Sequence, residues 1–78
     1  MTRKKAIEIA IGDMMAERSR LQSMIHLNEV DLGKILSSIS SGNQNLEYDK
    51  KYTKERLKKL RKALQEHTDA IAFLKGEL

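Results

Sequence analysis

Ser37-Ser38-Ile39-Ser40-Ser41-Gly42-Asn43-Gln44-Asn45 is the stretch where an otherwise continuous apolar rhythm stops. Gly42 suits the left-handed backbone position that closes a helix, and Asn43 or Asn45 suits the cap of the next one. Glu47 and Asp49 follow in what becomes a first turn, where carboxylates complement the helix dipole. The segment lacks the spaced glycines and the Lys-Ser/Thr pair of a phosphate-cradling loop, so it reads as a turn.

On the N-terminal side of this break run Ile7, Ile11, Met14, Leu21, Ile25, Leu32, Ile35 and Ile39. On the C-terminal side run Leu57, Leu60, Leu64, Ile71, Leu74 and Leu78. The alternating three- and four-residue spacing predicts helices over about 3–39 and about 46–75, joined by a turn over about 40–45. Thr2 is placed to cap the first helix. The fold expected is all-α: a coiled-coil-like antiparallel two-helix hairpin in a single domain, 1–78, assembling into a four-helix or larger bundle.

With Ile11 at heptad position a and Met14 at d, the seam of the first helix also passes through Lys4, Arg18 and Asn28. In the second helix, Leu57, Leu64, Ile71 and Leu78 take a, and Leu60, His67 and Leu74 take d. Folding the chain about residue 43 brings Arg18 near His67 and Thr68, and Asn28 near Lys58. Arg18, Asn28 and His67 thus form a polar seam of the kind that fixes register at some cost in stability. The same fold leaves residues 1–9 projecting beyond the second helix. Gly12 and Gly33 sit inside the first helix, each costing about 1 kcal/mol relative to alanine. Gly76 reads as a terminator, with Glu77 and Leu78 frayed beyond it.

At 78 residues the chain holds one domain at most, and its own core is marginal. It has no cysteine and no proline, and its aromatics are Tyr48, Tyr52 and Phe73. Disulfides, thiolate metal sites and cysteine nucleophiles are excluded together. No apolar stretch is long enough to span a bilayer, and Glu8 and Asp13 interrupt any leader-like segment behind the basic N-terminus. The expectation is a soluble protein of a reducing compartment, the cytoplasm.

Charge is local rather than global. The formal net charge of +4 divides into +1 over residues 1–46, +5 over 47–62 and −2 over 63–78. Lys51, Lys54, Lys58, Arg61 and Lys62 recur as one stripe, with Tyr48 and Tyr52 a turn apart at its start. A dense positive stripe on a stiff helix is the footprint of phosphate-backbone binding, so these residues are the polyanion-binding candidates. A solvated lysine face, or one that meets an acidic protein, has the same pattern. The stripe is richer in lysine than arginine, which favours neither base reading nor bidentate recognition.

The first helix carries apolar residues away from its seam: Ile9, Met15, Met24, Leu27, Val30 and Leu36. One partner helix covers only the a and d positions, so these six are the protein-interface candidates, expected to serve self-association or a hetero-complex. Enzyme chemistry finds no purchase. His26 and His67 are the only histidines, no His-Glu-x-x-His or Glu-x-x-His spacing occurs, and the serines cluster in the turn. No catalytic, cofactor-binding or metal-binding residue is assigned. In length and topology alone the layout resembles small plasmid-encoded RNA-binding hairpin regulators and the hairpin co-chaperones of type III secretion needles; no residue motif is shared with either.

The function expected is therefore a non-enzymatic protein-interaction module, an adaptor, co-chaperone or inhibitor, that self-associates through the first helix. The alternative is an RNA- or DNA-binding bundle using the basic stripe. A weaker alternative is sequestration of a small phosphorylated ligand near Arg18 and His67 at an oligomer interface.

Overall fold

The computed structural model describes every residue, Met1–Leu78, as two long helices and no strand. Helix α1 spans Arg3–Ser40, a single 3-10 turn spans Gln44–Leu46, and helix α2 spans Glu47–Gly76. The molecule measures 60 × 14 × 14 Å, the dimensions of two helices lying side by side along their length. A helix of 38 residues is about 57 Å long, so α1 alone sets the long axis.

The local chemistry explains where each helix starts and stops. Thr2 Oγ1 accepts a hydrogen bond from the Lys5 amide at 3.1 Å, satisfying one of the free donors of the first turn. At the other end the Gly42 amide donates to the Ile39 carbonyl at 2.9 Å, and the Asn43 amide donates to the Ser38 carbonyl at 3.1 Å. This pair of bonds is the Schellman closure, and it requires a left-handed residue, which Gly42 supplies with φ of 99°. Any side chain at position 42 would strain that turn.

The start of α2 differs from the sequence expectation. Neither Asn43 nor Asn45 caps it; the 3-10 turn feeds directly into the helix, whose leading residue Leu46 provides no side-chain acceptor. Glu47 and Asp49 supply negative charge in the first turn instead. α2 does end at Gly76, as expected, though without a left-handed residue there. Glu77 and Leu78 close the helix by donating to Leu74 and Lys75 carbonyls.

The core is a thin strip. Ile11, Leu21, Ile25, Leu57 and Ile71 are the buried apolar side chains, with Leu57 and Ile71 at 2% exposure. Ile7, Met14, Leu32, Ile35, Ile39, Leu60, Leu64 and Leu74 are half-buried along the same line. Leu78, placed on the seam by periodicity, is exposed, because α2 ends before it. Thr53 is buried and was not singled out by the apolar spacing; it extends the d positions of α2 backward from Leu60.

Cross-helix ion pairs locate the two helices against each other. Glu29 faces Arg61 at 4.0 Å, and Arg3 reaches Glu77 at 2.7 Å. The second pair overturns the expected projection of residues 1–9 beyond α2: the first turn of α1 already touches the last residues of the chain. The extra length of α1 is taken up by the 3-10 turn, which extends the second arm beyond α2 itself.

Candidate interaction surfaces

Three sets of side chains were marked by sequence, and the fold distributes them differently. The off-seam apolar residues of α1 do not form one cluster. Ile9, Leu27 and Val30 occupy heptad positions on the side of α1 turned away from α2, and all three are exposed, Leu27 at 62%. Met15 and Leu36 lie along one flank of the seam, also exposed. Met24 lies on the other flank and is half-buried, its Sδ accepting from Arg20 Nη1 at 2.9 Å. Five of the six residues are therefore open, and the sixth is already engaged within the chain.

The polar seam is built differently from the cross-helix pairing expected of it. Asn28 donates from Nδ2 to the Met24 carbonyl at 2.8 Å, one turn back in its own helix. His67 lies 2.9 Å through Nδ1 from the Ala63 carbonyl, also one turn back. A carbonyl only accepts, so the Nδ1–H of His67 is the donor in this contact. Asn28 and His67 are each satisfied along their own helix, and Arg18 is half-buried. No buried side-chain nitrogen or oxygen is left without a partner.

Next to this seam Glu17 chelates Arg20, one turn on, through both carboxylate oxygens. The hydrogen bonds from Arg20 hold the Glu17 carboxyl below its usual range, and the Arg20 and His67 charges add to that effect.

The basic stripe is placed as one exposed face of α2. Lys51, Lys54, Lys58 and Lys62 form no ion pair within the chain, whereas Arg61 is directed toward Glu29 of α1. Lys50 is half-buried and sits 3.7 Å from Glu47. Tyr48 and Tyr52 stack on one another with ring centroids 6.5 Å apart and planes inclined by 16°. Tyr48, Lys51, Tyr52 and Glu55 frame a shallow depression of about 200 Å3, and Glu55, Lys58, Lys59 and Lys62 frame another of about 320 Å3. Glu55 lines both, a carboxylate set among the cations.

Periodicity alone did not mark Phe73 as a surface residue, yet it is 69% exposed on α2. Its signal was its position two residues beyond Ile71, off the a and d line. No group of three or more His, Asp or Glu side chains comes together in a metal-holding arrangement, and no helix is long and apolar enough to cross a membrane. Comparison with protein families, with curated proteins and with solved structures finds no match to this chain.

Proposed function

We propose that the chain is a non-enzymatic protein-interaction module, an adaptor, co-chaperone or inhibitor, that self-associates through α1. The observation that carries this reading is the imbalance of α1. Its seam with α2 buries only Ile11, Leu21 and Ile25, while Ile9, Met15, Leu27, Val30 and Leu36 remain exposed on the same helix. Large apolar side chains left open at several positions of one helix favour a further contact, and a hairpin with so thin a core gains most from a partner. The test is the double substitution Leu27→Glu with Val30→Glu. It should leave the helical circular dichroism intact and reduce the mass in light scattering to that of one chain. An unchanged mass would remove these residues from the interface.

A second reading, RNA or DNA binding by α2, is favoured by the unpaired lysines beside the stacked tyrosines. Ammonium groups neutralise phosphates and aromatic rings stack on bases, and such binding weakens steeply with salt. Fluorescence anisotropy with short labelled RNA and DNA, from low to physiological salt, tests it. Reversal of Lys54, Lys58 and Arg61 to Glu should then eliminate binding without altering mass. Absence of binding at low salt would make the stripe a solvated face.

A further inference from the structure

Resting on the self-association reading, we infer that the partner of α1 is the α1 helix of a second copy, packed antiparallel with Asp13 of each copy facing Lys34 of the other. The exposed apolar residues Ile9, Leu27 and Val30 lie on the side of α1 opposite α2. From Ile9 to Ser40, alternating steps of three and four residues along this side meet no Asp, Glu, Lys or Arg. Two such rows, mostly small residues with His26 among them, approach without desolvating a carboxylate, ammonium or guanidinium along their centre, and the charges that set the register are those at the margins.

The margins select both the direction and the register. On one margin stand Asp13, Arg20, Leu27 and Lys34; on the other stand Glu8, Met15, Gln22, Glu29 and Leu36. In antiparallel packing each margin meets its own copy, running the opposite way. When Ala16 of one copy opposes Gly33 of the second, Asp13 meets Lys34, Arg20 meets Leu27 and Met15 meets Leu36. Every marginal charge is then matched by its opposite or by a neutral neighbour. Asp13 and Lys34 are exposed, and neither forms an ion pair within its own chain.

Other registers lack this agreement. Sliding by one heptad in one direction sets Arg20 against Arg20. Sliding the other way sets Arg20 against Lys34 and Glu29 against Glu29. Parallel packing opposes Glu8 to Asp13, which offsets the Glu29 to Lys34 pairing it also makes. Like charges in such positions are unfavourable, and opposed helix dipoles add a small preference for the antiparallel form.

Packing also has room for the close version of this contact. Gly12 and Gly33 have nothing within 4 Å of where a Cβ would stand, so the hairpin itself makes no use of their small size. In the selected register Gly33 opposes Ala16 and Gly12 opposes Ser37, which permits the axes to approach at the short end of the usual range. The product is a row of four helices with the two α1 helices inside. Both basic α2 helices then remain on the outside, each with its stripe free.

The chain has no cysteine, so single thiols report the register directly. Ala16→Cys and Gly33→Cys chains are made separately, one of them mass-tagged, then mixed and oxidised at low concentration. The expected product is the mixed disulfide between the two variants, with either variant alone remaining mostly unlinked. Homodisulfides from each variant alone would establish a parallel pair and overturn the proposal. A dimeric mass with no disulfide in any mixture would overturn it too. In both cases self-association itself would stand. A single-chain mass for the unsubstituted protein would sink both readings together. Independently, Asp13→Lys should weaken dimerisation by about tenfold, two facing pairs being reversed per dimer, and the double variant Asp13→Lys/Lys34→Asp should restore it to within about twofold. Failure of the double variant to recover, while it keeps its helicity, counts against the register.

Discussion

α2 presents the ordinary division of a surface helix, with Leu57 and Ile71 inside and a charged face outside. α1, packed on the same seam, does not divide in that way: its outward side is nearly uncharged and its large apolar residues are spread around the helix. Both helices thus contribute to one core; outside it α2 carries the charged stripe, and its exposed apolar groups are the aromatics Tyr48, Tyr52 and Phe73. The difference teaches that the two outward surfaces of this chain are distinct in chemistry and can be altered separately. The seam holds the hairpin, α1 offers apolar surface, and α2 offers charge.

Substitutions on either side of that division should behave oppositely, and the largest effect belongs to the seam. Leu57→Ala removes the most enclosed side chain, at 2% exposure, and the loss from such a truncation is about 2–5 kcal/mol. In a core of five buried apolar residues this should collapse the thermal transition. Leu27→Ala, at 62% exposure, should leave the hairpin's helicity unchanged. Equal losses of helicity from the two variants would show that α1 has no separate outward surface.

The glycines sharpen the contrast at a smaller scale. In the Leu27→Glu/Val30→Glu background, designed to remove the proposed self-association, Gly12→Ala and Gly33→Ala should each raise stability by about 1 kcal/mol. The open space around both positions leaves helix propensity as the acting factor. A loss of stability there would mean that the hairpin needs close approach at those sites. Within the seam, Thr53→Val is the next step down. Thr53 is buried at 8% exposure and its hydroxyl takes part in none of the side-chain hydrogen bonds. No buried side-chain oxygen lacks a partner, so this hydroxyl reaches solvent, and replacing it by a methyl should raise the denaturation midpoint only slightly, by less than about 1 kcal/mol.

How far the sequence reached follows the same division. The hairpin was legible because apolar spacing is a property of each helix alone, and because Gly42 has a conformational duty that few other residues meet. The 3-10 entry into α2 was not legible: Asn43 and Asn45 have the right side chains for capping, but the chain uses a backbone path that needs neither. Thr53 was invisible to an apolar count although its place in the heptad was available. The supposed overhang failed because helix lengths alone do not say how much of the second arm the turn supplies. For the surfaces, exposure of Leu27, Val30 and the lysines could be read from heptad positions. The inward bonding of Asn28 and His67 could not, since a polar seam residue has its own carbonyl one turn back as a competing acceptor.

The smallest effect comes from Glu17, which stands on the half-buried flank where the two helices meet. Its carboxylate is held below the usual range chiefly by the hydrogen bonds from Arg20. A carboxyl with a depressed folded-state pKa contributes stability that is fully present above its unfolded value and is lost as pH falls through its folded value. The group is solvent-exposed, so the contribution is screened and slight. Acid titration of the thermal midpoint should show a shallow decline in the carboxylate range, and Glu17→Gln should flatten part of it. Arg20→Gln should do the same, since it removes the donor that lowers Glu17. If Arg20→Gln leaves the slope unchanged while Glu17→Gln flattens it, the charge that matters is that of His67 on the opposite helix. The flank would then couple α1 to α2 through electrostatics as well as through the apolar seam.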